Sequence, residues 1–118
     1  MTSEPTNSSW SEALSRYDSL GGPAWRHIPP FRELVAGIGR LPEASGLTAI
    51  TSHETLTVSP YTRYPDWFEG RHHRLHPLVD GRVRIDRFPE RIDGQPAETW
   101  TLPLEEAREM VASLLADM

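Results

Sequence analysis

The chain has 118 residues, of which 37% are apolar and 25% charged, and a net charge of −5. Two independent cores would each be marginal at this length, and no apolar run approaches the roughly 20 residues of a membrane span. Cysteine is absent, which excludes disulfides, thiolate zinc sites, iron–sulfur clusters and thiol catalysis.

The first 30 residues hold no basic start followed by an apolar block, so no secretory leader is expected and the expected compartment is the cytoplasm. The acidic balance argues against nucleic acid, which needs a basic footprint. The charge is uneven, however. Residues 1–62 carry four Arg and six acids, residues 63–91 seven Arg and five acids, and residues 92–118 one Arg and six acids. All twelve basic residues are Arg. Codon usage in a GC-rich bacterial genome is the expected account of that bias, with selection for planar anion recognition at single arginines as the alternative.

Residues 1–8 are polar and read as a flexible tail ahead of one domain spanning 9–118. Ser9 and Glu12 have the spacing of a capping box, and Trp10, Ala13, Leu14 and Tyr17 follow at helical intervals. A helix over 9–20 is predicted, stopped by Gly21-Gly22-Pro23. Pro30 suits a first helical turn, and Phe31, Leu34, Val35, Ile38 and Leu41 form one stripe, which predicts a helix over 30–40. Gly37 and Gly39 weaken that helix by about 1 kcal/mol each relative to Ala. Simple tolerance is the favoured account of both, with close backbone packing as the alternative.

From Gly46 the pattern alternates. Strands are predicted over 47–51 and 55–59, with the turn at Ser52-His53-Glu54. Residues 59–70 hold two prolines and several aromatics, and read as irregular. A strand over 72–79 and another over 82–88 flank Asp80-Gly81, a two-residue hairpin signal. A tight turn there sets Leu78 opposite Val83 and His76 opposite Ile85, all four on one face, with Arg82, Arg84 and Asp86 on the other. Asp93-Gly94 marks a further turn, and residues 98–102 alternate with Trp100 and Leu102 inward. Pro103, Glu105 and Glu106 open a helix over 103–116, whose stripe runs through Leu104, Ala107, Val111, Leu114 and Met118 and is widened by Met110 and Leu115. The expected fold is α+β. It has a mostly antiparallel sheet of about five strands, with two N-terminal helices and one C-terminal helix packed on one face.

Three groups of residues could carry chemistry. His72, His73 and His76 invite a metal reading, with His72 and His76 as ligands. On a strand those two stand about 13 Å apart, so a site would need a further ligand such as His53 or Glu69. No metal or other cofactor is therefore expected. The second group is Tyr61, Arg63, Tyr64, Trp67, Arg71 and Arg74, where aromatics interleave with Arg. Such a segment suits a protein partner, stacks on a small ligand, or simply pins a loop to the core. The third is acid–base: His53, His73 or His76 with Asp86, and Tyr64 nearby. The acidic outer face of the last helix, with Glu105, Glu106, Glu109 and Asp117, reads as solvated or as a surface for a basic partner.

No nucleophile elbow or phosphate-cradling loop appears. The leading expectation is therefore a non-enzymatic domain of adaptor, regulatory or immunity type. It would bind a protein partner or a second copy of itself through the aromatic/Arg segment. The alternative is a small-molecule enzyme or ligand-binding protein, with a pocket between sheet and helices served by His76, Asp86 and Tyr64. A polar cleft of a few hundred Å³ would favour the second, and an exposed aromatic patch the first.

Overall fold

A computed structural model describes residues 8–63, 65–89 and 95–118. The expected tail, apart from Ser8, lies outside the described residues. So do the Asp93-Gly94 turn and Tyr64. The elements, in order, are helix α1 (Ser8–Asp18), helix α2 (Ile28–Gly39), strands β1 (Thr48–Ser52) and β2 (Thr55–Ser59), and a short helix α3 (Asp66–Glu69). Strands β3 (His72–Pro77), β4 (Arg82–Phe88) and β5 (Glu98–Pro103) and helix α4 (Leu104–Ala116) follow. Single 3-10 turns at Pro23–Trp25 and Pro42–Ala44 lie on either side of α2. The strands form one antiparallel sheet in the order β1-β2-β3-β4-β5, and the fold is α+β. Among the described residues no helix is long and apolar enough to cross a membrane.

Each long helix buries the stripe its sequence spells out. In α1 the buried positions are Trp10, Ala13, Leu14 and Tyr17. In α2 they include Phe31, Leu34, Val35 and Ile38. In α4 the buried positions are Ala107, Val111 and Leu115, with Leu114 half-buried. Helix α1 packs on α2 and β1, α2 on α4, and α4 on β4 and β5. Inward strand residues Leu56, Val58, Leu75, Val83 and Ile85 are fully buried beneath them.

Two local expectations in the first two helices need correction. Ser9 lies inside the first turn of α1, and its hydroxyl accepts a hydrogen bond from the Ala49 N–H at 3.0 Å, which ties α1 to β1. Gly39 is a close-packing residue, because a Cβ there would stand 2.9 Å from Cε3 of the fully buried Trp10. Tolerance suffices at Gly37, where a Cβ would meet Arg108 at an ordinary 3.7 Å.

The β3–β4 hairpin differs from expectation in a way that decides the site. Gly81 N–H donates to the Leu78 carbonyl at 3.0 Å, and Leu78 N–H donates to the Arg82 carbonyl at 2.9 Å. The connection is thus three residues, Val79 to Gly81, and Gly81 takes the left-handed position with φ +90°. This is the turn in which a glycine bulge closes a three-residue loop, rather than a two-residue turn with both residues left-handed. The register moves accordingly. Leu75 faces Ile85, His76 faces Arg84 and Pro77 faces Val83. A slip of one residue exchanges the two faces of a strand. His76 therefore lies on the outer face, away from Val83 and Ile85, and shares that face with Arg84 and Asp86.

The second departure is α3. The irregular segment after β2 folds into one turn between Pro65 and Gly70, and that turn packs on β2. Trp67 and Phe68 meet edge to face, with ring centroids 5.4 Å apart.

Candidate functional site

The outer face of the sheet is built from Thr, Arg, His and Asp because alternate residues of β2, β3 and β4 are apolar and point inward. Across it runs a chain of hydrogen bonds from β2 to β5. Thr55 Oγ1 lies 3.1 Å from His76 Nδ1. His76 Nε2 lies 3.0 Å from Asp86 Oδ2. Thr99 donates its hydroxyl hydrogen to Asp86 Oδ1 at 2.9 Å. Arg84 adds an ion pair, with Nε 3.4 Å from Asp86 Oδ1.

The partners assign the protons. An ionised carboxylate only accepts, so Nε2 of His76 carries the hydrogen and Nδ1 is the acceptor for the Thr55 hydroxyl. Burial is the main force that pushes the His76 pKa below its ordinary value. Arg84 and Arg74 add to this, and Asp86 opposes it. Burial thus favours the neutral ring, in which the Nδ1 lone pair faces Thr55. Asp86 is only 5% exposed; its contacts with Thr99 and Arg84 satisfy a carboxylate that would otherwise be costly to bury.

Beside this chain lies a cleft of about 400 Å³, between the outer face and α3. Thr55 and His76 are on its wall, with Arg74, Trp67 and Phe68. The β1–β2 turn forms its lip, and Ser52, His53 and Glu54 all line it. His53 adopts φ +56°, a conformation uncommon for a residue with a side chain. The turn is pinned from beneath. Tyr17 donates its hydroxyl hydrogen to the Glu54 carbonyl at 3.0 Å, and His27 Nε2 lies 3.8 Å from Glu54 Oε2. Strained backbone persists where surrounding structure holds it, and the Tyr17 hydrogen bond from α1 fastens this turn.

The residues singled out from the sequence are not gathered in one place. Trp67 and Arg74 line the cleft. Arg74 also lies over the Phe88 ring, 4.7 Å from its centroid. Arg71 lies instead at a second cleft of about 350 Å³, with His73, Arg87 and the end of α4. Tyr61 packs against Gly70 and leaves no room there for a Cβ. Arg63 is exposed, and Tyr64 lies outside the described residues. Among the described residues Val79, at 85%, is the one exposed large hydrophobic residue.

His72 and His76 do not converge either. His72 stacks on Phe88 at 4.5 Å and donates from Nδ1 to the Gly70 carbonyl at 2.8 Å, while His76 is held by Thr55 and Asp86. Among the described residues no group of three His, Asp or Glu is placed to hold a metal ion. His73 points to the opposite face, where burial pushes its pKa down to about 4.

Of the acid–base set, His76 and Asp86 do meet. Sequence reasoning missed Thr55, Thr99 and Arg84, which complete their surroundings, and the lip residue Glu54. A three-residue hairpin, read from the glycine after Asp80, would have put His76 beside Arg84. Thr55 and Thr99 come from other strands, and no spacing signals them. In comparisons with protein-family models, curated proteins and solved structures, nothing matches this chain.

Proposed function

We propose that the outer-face cleft binds a small organic anion with a flat apolar part, and that His76 acts there as a proton acceptor. One observation carries this reading. His76 is held at both ring nitrogens and lies on the wall of a cleft of about 400 Å³. That volume is in the range of small-molecule sites. A histidine oriented by a buried carboxylate, on the wall of a cleft and joined to a hydroxyl that also lines it, suits general acid–base chemistry. Arg74 supplies the cation for the ligand's charge, and Trp67 and Phe68 supply a flat apolar wall.

Docking of a protein partner, or of a second copy, through the 61–74 segment makes a different demand. It needs Trp67 and Arg71 on one surface, and these two line separate clefts. The two readings therefore separate in one experiment. Benzoate, phenylacetate and phenyl phosphate are titrated against the protein while Trp fluorescence and the histidine NMR signals are followed. The expected result is binding that moves the His76 signals, weakens at least tenfold in Arg74→Gln and Trp67→Ala, and is unchanged in Arg71→Ala. Binding of these probes that is insensitive to Arg74 and Trp67 would overturn the proposal.

A further inference from the structure

We infer that Thr55 is a nucleophile activated by His76, and that the cleft takes a carboxylic ester whose acyl group passes through the Thr55 hydroxyl. The inference rests on the proposed ligand site and adds a covalent step to it.

The geometry that carries it is the order of three groups. A hydroxyl donates to one nitrogen of an imidazole, and the other nitrogen donates to a buried carboxylate. The distances are 3.1 Å from Thr55 Oγ1 to His76 Nδ1 and 3.0 Å from His76 Nε2 to Asp86 Oδ2. Nucleophile and base within hydrogen-bond reach, with the base oriented by a third group, is the diagnostic arrangement for an activated hydroxyl. It is recognised by roles and distances, whatever the fold or the order of residues along the chain.

A threonine–histidine contact on a sheet is also a common structural feature. Three further observations set this one apart. Thr55 is only half-buried, and it lines the cleft together with His76, so a reacting carbonyl has a route to its oxygen. Asp86 is held by Thr99 at 2.9 Å and by Arg84, which fixes the carboxylate and through it the imidazole. Finally, Thr55 directly follows the turn that holds His53 at φ +56°, and Tyr17 pins that turn by a hydrogen bond to the Glu54 carbonyl. The nucleophile is thus placed by a strained turn that is supported from the core, as a preorganised site requires.

The reaction balances without a cofactor. Thr55 Oγ1 attacks the ester carbonyl, and its proton moves to His76 Nδ1. The bond to the alcohol breaks, and the same proton leaves on the alcohol oxygen. Water then attacks the acyl-Thr55 ester, again giving a proton to His76 Nδ1. That proton returns to Thr55 Oγ1 as the carboxylic acid departs. Asp86 stays ionised throughout and stabilises the imidazolium. Arg74 brings positive charge to the cleft wall, where it favours an anionic ester or the developing oxyanion.

The test uses 4-nitrophenyl acetate with the full chain. The sequence helps here, because there is no lysine to acylate. The expected result is a burst of 4-nitrophenolate, and one acetyl group that peptide mass spectrometry assigns to Thr55. Thr55→Val should abolish the labelling and His76→Gln should slow it by about 10²-fold or more. Thr55→Ser keeps both the hydroxyl and its hydrogen bond and should restore the burst, so a folding defect cannot mimic the outcome. Acetyl groups at other residues, or a burst that survives in Thr55→Val, would overturn the inference. Absence of a burst in a protein that still binds benzoate through Arg74 would overturn the covalent step alone. Absence of both would overturn the cleft reading as well.

Discussion

Protonating His73 should cost the folded state about 3 kcal/mol. The ring is 5% exposed, on the face of β3 that meets α4, and burial drives its pKa down to about 4. The Leu114 carbonyl favours the protonated ring, while Arg87 and His72 oppose it. In the unfolded chain the same ring titrates near 6.5. Above pH 6.5 it is neutral in both states and the full stability is present. Between 6.5 and about 4 the unfolded chain binds a proton that the folded one does not, and stability falls. Below about 4 both states are protonated and the dependence ends. A difference of about 2.5 pH units, at about 1.4 kcal/mol each, gives the figure. The perturbation is His73→Leu, which removes the titration and keeps an apolar occupant. The assay is urea unfolding of both proteins by Trp fluorescence at several pH values from 7.5 to 4. Carboxylates common to both cancel in the difference. Wild-type stability should fall relative to the variant by about 3 kcal/mol across that window, with most of the change below pH 6. A flat difference, or an NMR midpoint for His73 near 6.5, would refute the assigned burial.

Two further outcomes are expected. Gly39→Ala forces a methyl group to within 2.9 Å of the Trp10 ring, whose indole N–H is fixed to the Leu47 carbonyl at 3.2 Å. Overpacking of this kind costs about 1–3 kcal/mol against the roughly 1 kcal/mol that alanine adds to a helix, so Tm should drop by a few degrees in a thermal melt. Unchanged or raised Tm would mean that Trp10 moves aside freely. Asp86→Asn removes the charge that opposes the downward shift of His76, so the His76 midpoint should fall further below 6.5 by NMR titration. A midpoint that rises instead would show that Asp86 does not contact the ring.

The three long helices were legible because each carries an apolar stripe at helical period long enough to dominate its window. The five strands were legible from alternation, and their antiparallel pairing followed from short connections, whereas their order in the sheet came only from the structure. What escaped the sequence was contact between elements. Nothing near Gly39 indicates that Trp10, on another helix, occupies the space where a side chain would go. Nothing near Pro65 indicates that Trp67 and Phe68 would form a helical turn four residues long, below the length that periodicity can detect. The site depends on contacts of the same kind. His76 and Asp86 were named together as acid–base candidates, yet the expected register set them on opposite faces of the sheet, and Thr55 and Thr99 enter from neighbouring strands, so their placement follows from register alone.

The β3–β4 register is read most directly at the loop that joins the two strands. Asp80-Gly81 promised a two-residue turn, and the chain forms three residues because Val79 joins the loop, exposed at its tip. The pairing of Leu75 with Ile85 and of Pro77 with Val83 keeps the apolar residues of both strands inward. A one-residue slip would expose them and bury His76 instead. The buried face, and not the turn, should therefore set the register. Deleting Val79 tests this, since it leaves Asp80-Gly81 as a two-residue connection between Leu78 and Arg82, the pair that already brackets the loop. Core pairing can then persist with a new turn, and His76 should stay opposite Arg84 with its midpoint still below 6.5. Cross-strand NOEs between His76 and Arg84, together with the His76 titration, would read this out. Loss of those NOEs in a folded protein would show that the turn governs the register. The outer-face site would then depend on Val79, a side chain that lies outside the cleft.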